Sequence, residues 1–439
     1  MSGNLTYPNQ LEIKPYAGRT LSAIVRVPGS KSITNRALVL AALGSWGCKL
    51  SNALRSEDTE VMVDCLRRLG FDVRTDWVNS VIDISLDPAG DFIPAAKADL
   101  FVGNSGTTVR FLTAMLALGN GVYRLDGVPR MRERPIQDLL DGLRQLNVDV
   151  LSESGNGCPP VVVRSSGLSG GHVRIRGDVS SQFLSGLLLV LPCAEGDTTI
   201  DIVGPLVSKP YVEMTLAMLH QFGLEAQETV TGSYYVPGKQ IHKVESYTIE
   251  PDASAASYFW AAAAILGGRV TVSDLTDHSL QGDVRFVEVL QQMGCRVEYC
   301  GTGITVHGGP LRGIDVDMNA ISDTVMTLAA VAGFADGPTH IRNVAHIRHK
   351  ETDRIAALAT ELRRLGAGVE EYPDGLTITP QPLHGAEVET YNDHRMAMSL
   401  ALIGVRVPGV LIKNPGCVAK TYPGFWEDLH RLLGDLVNA

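Results

Sequence analysis

The chain has 439 residues, enough for about three average domains or two large ones. It holds 48 acidic and 38 basic residues, so its formal net charge is −10, which argues against a protein that coats nucleic acid. A local anion site is still allowed, because charges farther apart than about 8 Å are largely screened at physiological salt.

Neither a secreted protein nor a membrane protein is indicated. The N-terminus MSGNLTYPNQ lacks the apolar core of a signal peptide, and the longest uncharged stretches fall short of the roughly 20 apolar residues that span a bilayer. The seven cysteines are odd in number and none has CxxC spacing, which disfavours a disulfide framework and a zinc site. We therefore expect a cytoplasmic protein without a membrane or nucleic-acid partner.

An amphipathic helix recurs six times along the chain and leads into a strand. Each copy ends at a glycine, or once at an asparagine, residues that tolerate the left-handed backbone often found just beyond a helix end. The terminal residues are Gly70, Asn147, Gly223, Gly294, Gly366 and Gly434. Successive ones lie 68 to 77 positions apart, which predicts a repeat of about 70 residues.

A second kind of helix, made of small apolar residues, alternates with the first. A helix that is apolar on all sides is buried. The stretches are NRALVLAALG, TVRFLTAMLALG, QFLSGLLLVLP, AASYFWAAAAILGG, DTVMTLAAVAGFA and HRMAMSLALIG. Alternating stretches such as RVTVS and LTITP predict strands. Six repeats of one buried helix, one half-exposed helix and about three strands suit two α/β domains of three repeats each; the alternative is an ordinary doubly wound α/β protein with similar helices.

Polar residues cluster just before the buried helices, where free N–H groups and the helix dipole favour anions. Residues 28–36 hold Lys31, Ser32 and Arg36; Ser32 is predicted to cap the helix, and a P-loop is excluded because GxxxxGK[ST] is absent. Residues 103–108 hold Asn104 and Gly106 in a turn that brings the backbone close to a ligand or is merely structural.

Two more clusters follow in the first half of the chain. Arg130, Arg132 and Arg134 precede Pro135, which is predicted to open a helix; they suit phosphate or carboxylate binding, or are an ordinary surface charge run. Further neutral hydrogen-bonding groups stand at two other helix starts, where they bind a ligand or only cap the helix. They are Ser180, Ser181, Gln182 and Ser208.

The second half carries charges in line with buried helix faces. Asp323 opens a buried helix, where its carboxylate is either a base with a raised pKa or a plain cap. Glu351 and Arg354 extend the apolar stripe of the next helix, so they are paired with each other or functional. Beside them stands Lys350, and residues 391–395 and 414–420 place Arg395 and Lys420 near further helix starts.

Together these stretches closely resemble one family, EPSP synthase (3-phosphoshikimate 1-carboxyvinyltransferase). The match spans nearly the whole chain in order and includes PGSKSITNRALVLAAL, GNSGTTVRFL, PRMRERPI, VSSQFLSGLLL, KPYVEMTL, DASAASYFWAAAA, KETDRIAALATELRRLGA, YNDHRMAMSLAL and NPGCVAKTYPGFW. The resemblance implies an inside-out α/β fold of two domains, each of three βαβαββ units, that close like jaws. We expect residues 30–249 to form the shikimate-3-phosphate side, and residues 1–29 with 250–439 the catalytic side.

The resemblance also implies a reaction, in which the enolpyruvyl group of phosphoenolpyruvate passes to the 5-hydroxyl of shikimate 3-phosphate. Expected shikimate-3-phosphate contacts are Lys31, Ser32, Arg36, Ser180, Ser181, Gln182, Ser208, Asp323 and Lys350. Expected phosphoenolpyruvate contacts are Lys31, Asn104, Gly106, Arg134, Gln182, Arg354, Arg395 and Lys420. Asp323 is implied as the proton acceptor, and Glu351 or Lys31 as the donor.

No cofactor or metal is implied, the family is mostly monomeric, and its phosphoenolpyruvate site binds the herbicide glyphosate. One departure is His346, where many members carry Asn as a shikimate-phosphate contact. An alternative is the sister enzyme acting on UDP-N-acetylglucosamine, but that enzyme has GAKN at residues 29–32 and a Cys before its Arg-Pro. A non-catalytic binding protein on the same fold is the other alternative, and it is expected to have lost Lys31, Asp323, Glu351 or Lys420.

Overall fold

A computed structural model of the chain describes residues 7–18, 20–85 and 92–434. The chain divides into two compact units. The continuous unit is Gly29–Ile249, and the split unit is Met1–Pro28 together with Glu250–Ala439.

The helices alternate between the two kinds expected. In the described part of the chain they are α1 (Lys31–Ala42), α2 (Glu57–Arg68), α3 (Gly106–Met115), α4 (Gln137–Gln145), α5 (Ser181–Val190), α6 (Pro210–Gln221), α7 (Ala253–Leu266), α8 (Phe286–Gln292), α9 (Val325–Ala332), α10 (Arg354–Arg364), α11 (His394–Gly404) and α12 (Phe425–Leu433). Odd-numbered helices are the apolar stretches, and even-numbered ones are the amphipathic stretches.

The strands are short. They are β1 (Gln10–Ile13), β2 (Ser22–Val25), β3 (Cys48–Ser51), β4 (Asp72–Asp76), β5 (Val81–Ser85), β6 (Lys97–Phe101), β7 (Asn120–Asp126), β8 (Asp149–Ser152), β9 (Val161–Ser166), β10 (Gly171–Arg176), β11 (Thr198–Val203), β12 (Gln227–Glu228), β13 (Tyr234–Val236), β14 (Ser246–Thr248), β15 (Arg269–Ser273), β16 (Arg296–Cys300), β17 (Gly303–His307), β18 (Asp315–Asp317), β19 (Thr339–Arg342), β20 (Gly368–Tyr372), β21 (Gly375–Thr379), β22 (Glu387–Val388) and β23 (Val410–Lys413). The stretches RVTVS and LTITP are strands as predicted.

The continuous unit contains three four-stranded sheets, ordered β14-β3-β5-β4, β6-β7-β9-β8 and β10-β11-β13-β12. The first two strands of each sheet are parallel, with Tyr247 opposite Leu50 and Val173 opposite Ile200, and the other pairings are antiparallel. An apolar helix links β6 to β7 and β10 to β11, as a parallel crossover requires. In the first sheet, the leading strand β14 comes from the far end of the unit.

The split unit repeats this plan with the four-stranded sheets β2-β15-β17-β16 and β18-β19-β21-β20, and its third sheet, β22-β23-β1, has three strands in the described residues. The leading pair is again parallel in each. The N-terminal strand β1 pairs antiparallel with β23, with Leu11 opposite Ile412. The predicted fold class, six βαβαββ repeats with three in each unit, is confirmed.

The cores of both units are built around the apolar helices. All but the last residue of α7 is buried, including Phe259 and Trp260, and each such large apolar side chain contributes about 1.5–3 kcal/mol. The six predicted terminal residues of the amphipathic helices all have positive φ, from +63° at Asn147 to +114° at Gly294. That conformation ends each helix, and at the first five positions it turns the chain toward the next strand.

Candidate active site

The three apolar helices of the continuous unit have their starts at one end. Arg36, the sixth residue of α1, lies over the ring of Phe111, the sixth residue of α3, with 5.2 Å between the guanidinium carbon and the ring centroid. Its Nη2 is 3.4 Å from the hydroxyl of Ser185, the fifth residue of α5. Equal depth along three helices places their N-terminal N–H groups on one surface.

Serines cap all three helix starts. Ser30, Ser105 and Ser180 accept hydrogen bonds from backbone N–H groups of the first turns of α1, α3 and α5. The prediction that Ser32 caps α1 is therefore wrong. The extended backbone of Ser30 lets its side chain reach the Ile33 N–H, so the helix begins at Lys31 and Ser32 lies in its first turn.

Lys31 faces a carboxylate that sequence reasoning missed. Its Nζ lies 3.6 Å from Oδ2 of Asp58, and both side chains are largely buried. Asp58 lies four residues before Met62 and eight before Leu66, two buried residues of α2, so it extends an apolar stripe. A charged residue in line with a buried helix face was the signal that pointed to Glu351, and the same signal is present at Asp58.

Arg36 is a buried cation held by neutral groups. Its Nε donates to Thr215 Oγ1 at 2.8 Å, Nη1 to the Ser32 carbonyl, and Nη2 to Ser185 and the Tyr211 carbonyl. Burial lowers its pKa to about 10. Among the described residues no carboxylate lies within ion-pair distance of it. An anionic ligand would therefore meet an uncompensated positive charge at this end of the helices.

The three neighbouring arginines lie in two different environments. Arg130 pairs with Glu133 and Arg132 with Asp126, each in partly solvent-exposed ion pairs, so these two fit the surface-charge interpretation. Arg134 instead is 3% exposed.

Arg134 lines the start of α3. Its Nη1 donates to the Asn104 carbonyl at 2.8 Å, and a Cβ built on Gly106 would lie 2.5 Å from its Nη2. Pro135 does not open a helix, because Ile136 has a non-helical φ of −141° and α4 begins at Gln137. The prediction for Pro135 is thus wrong by two residues.

The start of α5 carries the predicted polar triplet. Ser180 is the cap, Ser181 is the first helical residue, and Gln182 bonds Arg110 through Oε1 and Thr107 through Nε2, at 2.7 and 3.3 Å. Ser208 is buried with a left-handed φ of +52° two residues before α6.

The apolar helices of the split unit also meet near their starts. The hydroxyl of Thr327 on α9 lies 3.1 Å from that of Ser257 on α7 and 3.3 Å from that of Ser399 on α11. These residues lie within the first two turns of their helices, so the three helix starts again share one end.

A buried ion cluster occupies that end. Asp323 lies 2.8 Å from Nη2 of Arg395, 3.3 Å from Nη1 of Arg354 and 3.8 Å from Nζ of Lys350. The prediction that Asp323 opens the helix is wrong: it belongs to a 3-10 helix, Asn319–Thr324, and α9 starts at Val325. Ile321 is a non-helical residue inside that 3-10 helix, Thr324 ends the 3-10 helix directly before α9, and the carboxylate faces guanidinium groups.

Arg354 joins three carboxylates. Its Nη2 is 2.8 Å from Glu351, its Nε 2.7 Å from Asp393, and its Nη1 contacts Asp323. The pairing of Glu351 with Arg354 that the sequence left open is therefore present, and Lys420 lies 4.0 Å from the other oxygen of Glu351. Burial lowers the pKa of Arg354, but the carboxylates outweigh it and raise that pKa above its usual range. The arginine stays charged.

His346 borders this cluster on the 3-10 helix Ala345–His349. It is buried, and burial together with the charge of Lys350 lowers its pKa to about 3. The imidazole is neutral at physiological pH, so it has one donor and one acceptor nitrogen, and an asparagine amide also carries both kinds of group.

His346→Asn is expected to make stability less sensitive to acid. The folded pKa of about 3 lies below the ordinary 6.5, so the unfolded chain binds the proton first as the pH falls. This contribution to stability is complete above about pH 6.5 and is lost as the pH falls toward 3. Between pH 7.5 and 5.0 the free energy of unfolding of the wild type should fall by about 2 kcal/mol more than that of the variant.

Urea unfolding at both pH values measures this difference. His278→Asn is the matched control, because the side chain of His278 is 91% exposed. Identical acid sensitivity of the wild type and His346→Asn would contradict the expectation.

Reactive thiols, metal ions and membrane spans are three other features for which the described residues can be examined. The cysteines are free thiols, and burial raises the pKa of Cys48 to about 11 and that of Cys65 to about 12, which makes both poor nucleophiles. In the described part of the chain, no group of His, Cys, Asp and Glu side chains is arranged to hold a metal ion. None of the helices described there is both long and apolar enough to cross a membrane.

The sequence and the fold of the chain were compared with those of known proteins. The family model for EPSP synthase (3-phosphoshikimate 1-carboxyvinyltransferase) matches residues 15–429. The 3-phosphoshikimate 1-carboxyvinyltransferase of Nostoc punctiforme is 50% identical over 420 residues, covering 95% of this chain and 98% of the relative. That of Trichormus variabilis is 48% identical over 422 residues, covering 96% and 98%. The solved EPSP synthase from Acinetobacter baumannii matches with a TM-score of 0.77 at 25% identity, covering 96% and 98%.

The six-repeat fold and these matches define the chain as an enzyme that transfers a carboxyvinyl group. More narrowly, the chain belongs to the EPSP synthase family, the 3-phosphoshikimate 1-carboxyvinyltransferases. The predicted family and reaction type are thereby confirmed, and the roles of individual residues stay predictions.

Proposed function

We propose that the chain transfers the enolpyruvyl group of phosphoenolpyruvate to the 5-hydroxyl of shikimate 3-phosphate, releasing phosphate. The observation that carries this proposal is the buried cluster in which Asp323 and Glu351 lie among Lys350, Arg354, Arg395 and Lys420. It supplies two carboxylates for proton transfer and the cations needed to bind anions. Preorganised charge of this kind stabilises developing negative charge without reorganisation.

Shikimate 3-phosphate is assigned to hydroxyl and cationic groups at the helix starts. In the continuous unit Arg36 supports this assignment, because its charge is balanced by no described carboxylate. The other groups assigned to it in the continuous unit are Lys31, Gln182 and the hydroxyls of Ser32, Ser180, Ser181 and Ser208. In the split unit the assigned groups are Lys350 and Asp323.

Phosphoenolpyruvate is assigned to the arginines. In the continuous unit these groups are Arg134 with Asn104 and Gly106, together with Lys31 and Gln182. In the split unit they are Arg354, Arg395 and Lys420. Planar guanidinium groups suit the paired oxygens of carboxylate and phosphate.

The proposed reaction proceeds in two stages. The 5-hydroxyl oxygen attacks C2 of phosphoenolpyruvate, its proton passes to Asp323, and C3 takes a proton from Glu351 or Lys31. The tetrahedral intermediate then expels phosphate from C2, and C3 loses a proton to restore the double bond. Proton transfer by positioned groups contributes ~10²–10⁴-fold to the rate.

A phosphate-release assay tests the proposal. The purified enzyme is mixed with phosphoenolpyruvate and either shikimate 3-phosphate, UDP-N-acetylglucosamine or no acceptor. Release that depends on shikimate 3-phosphate is expected. Release with the nucleotide sugar, or none with either acceptor, would refute the assignment. Light scattering of the same sample checks the predicted monomer.

Gly106→Ala is expected to weaken the binding of glyphosate more than that of phosphoenolpyruvate. The inhibitor is expected to compete with phosphoenolpyruvate and to require shikimate 3-phosphate. A methyl group at Gly106 would come within 2.5 Å of Nη2 of Arg134, so this buried guanidinium must shift. We expect KM for phosphoenolpyruvate to rise several-fold and the inhibition constant to rise more.

Inhibition constants and KM for both forms, with and without shikimate 3-phosphate, measure this. Gly155→Ala serves as a control, because a Cβ there would meet no atom within 4 Å, although its positive φ adds some strain. Equal losses for inhibitor and substrate would contradict the expectation.

A further inference from the structure

Arg110 lies one turn into α3 and contacts two other segments of the continuous unit. It is 3% exposed. Its Nη1 donates to Gln182 Oε1 on α5 at 2.7 Å, and its Nη2 donates to the Pro135 carbonyl at 2.9 Å. The guanidinium carbon lies 5.1 Å from the ring centroid of Phe183. One planar group thus links α3, the start of α5 and the segment that follows Arg134.

These three segments carry or directly follow three of the continuous unit's proposed contacts to phosphoenolpyruvate. Gly106 begins α3, Gln182 lies in the first turn of α5, and Arg134 directly precedes Pro135. The distances between them are short: a Cβ on Gly106 would lie 3.0 Å from Nη1 of Arg110 and 2.5 Å from Nη2 of Arg134. A shift of one segment would therefore displace the others.

The contact also fixes which way the Gln182 amide points. Its Oε1 accepts from Arg110, and its Nε2 lies 3.3 Å from the hydroxyl of Thr107. An amide turned by 180° would aim its NH₂ group at a guanidinium, which has donors only. Lysine cannot reproduce this arrangement, because an ammonium lacks the rigid fork that reaches two acceptors in fixed directions.

We propose that Arg110 is a positioning residue that holds Gly106, Arg134 and the Gln182 amide in the arrangement that binds phosphoenolpyruvate. This inference rests on the proposed function. Arg110 touches no substrate in this account; it acts through its neighbours. Gln182 is a proposed contact to both substrates, whereas Gly106 and Arg134 are proposed contacts to phosphoenolpyruvate alone, so phosphoenolpyruvate binding should depend on Arg110 more than shikimate 3-phosphate binding does.

Arg110→Lys and Arg110→Gln test the proposal by steady-state kinetics. KM for phosphoenolpyruvate should rise at least 10-fold in both, while KM for shikimate 3-phosphate and kcat each change less than 3-fold. Arg130→Lys is the matched control, since Arg130 pairs with Glu133 in a partly exposed ion pair, and it should leave all constants unchanged. Circular dichroism confirms that each variant is folded, and two substitutions guard against one failing to fold.

A double-mutant cycle separates positioning from general destabilisation. If Arg110 acts through Gln182, Arg110→Lys should cost less in a Gln182→Ala background than in the wild type. Additive losses, or equal changes in both KM values, would overturn the positioning role. An inactive wild type would instead refute the proposed function, so the two failures are distinguishable.

Discussion

Asp323→Asn is expected to lower kcat by ~10²–10⁴-fold, the usual worth of a general base. The amide is nearly isosteric, but it cannot take the 5-hydroxyl proton. One oxygen remains to accept from Arg395, which lies 2.8 Å from the carboxylate. We therefore expect KM for both substrates to stay within about tenfold of the wild type.

Stopped-flow or steady-state phosphate release measures the change, with ligand binding followed by calorimetry. Asp315→Asn is the control, because Asp315 makes the same kind of pair with Arg342 but at the surface. Near-normal turnover of purified Asp323→Asn would rule out its role as the base.

The repeat was readable from sequence because helix ends are set by local chemistry. A residue just beyond a helix must adopt positive φ, and glycine does so without strain. The spacing of Gly70, Gly223 and Gly366 therefore reports the architecture directly, and all three have positive φ. Asn147 fits the same rule at +63°. The sheet order was not readable, since β2 and β15 pair although they are more than two hundred residues apart.

Positions within a single turn were harder to predict. Ser30 and Ser32 are equally good caps by residue type. The structure selects Ser30, which follows Gly29, and Gly29 packs so closely that a Cβ there would lie 1.9 Å from the Asn52 carbonyl oxygen, a contact no local pattern reveals. The helices that Pro135 and Asp323 were expected to open begin two residues later, after Ile136 and Thr324, neither of which has an α-helical backbone.

Charge partners were the least predictable part of the site. Arg132 and Arg134 are alike in sequence, and only Asp126 on β7 identifies the first as a surface residue. Asp58 went unnoticed although it lies in an apolar stripe. A buried position in a helix stripe was the more reliable guide: it singled out Glu351 and Arg354, and both are buried.

Arg354→Met is expected to be the most destabilising single change in the cluster. The arginine is 1% exposed and contacts Asp393, Glu351 and Asp323. Removing it leaves three carboxylates close together in a buried site. Breaking a buried ion pair from one side costs about 3–5 kcal/mol, because a charge stays buried without its partner. Catalytic activity should be lost as well.

Urea unfolding compares this variant with Arg342→Met. Arg342 also pairs with an aspartate, Asp315, but its side chain is 55% exposed, so its loss should cost at most about 1 kcal/mol. The free energy of unfolding lost in Arg354→Lys should lie between the losses in these two variants, since lysine keeps the charge but cannot reach three carboxylates in one plane. If Arg354→Met and Arg342→Met cost the same, the three carboxylates must gain protons or partners when the guanidinium is removed, and the cluster would not depend on Arg354 for its charge balance.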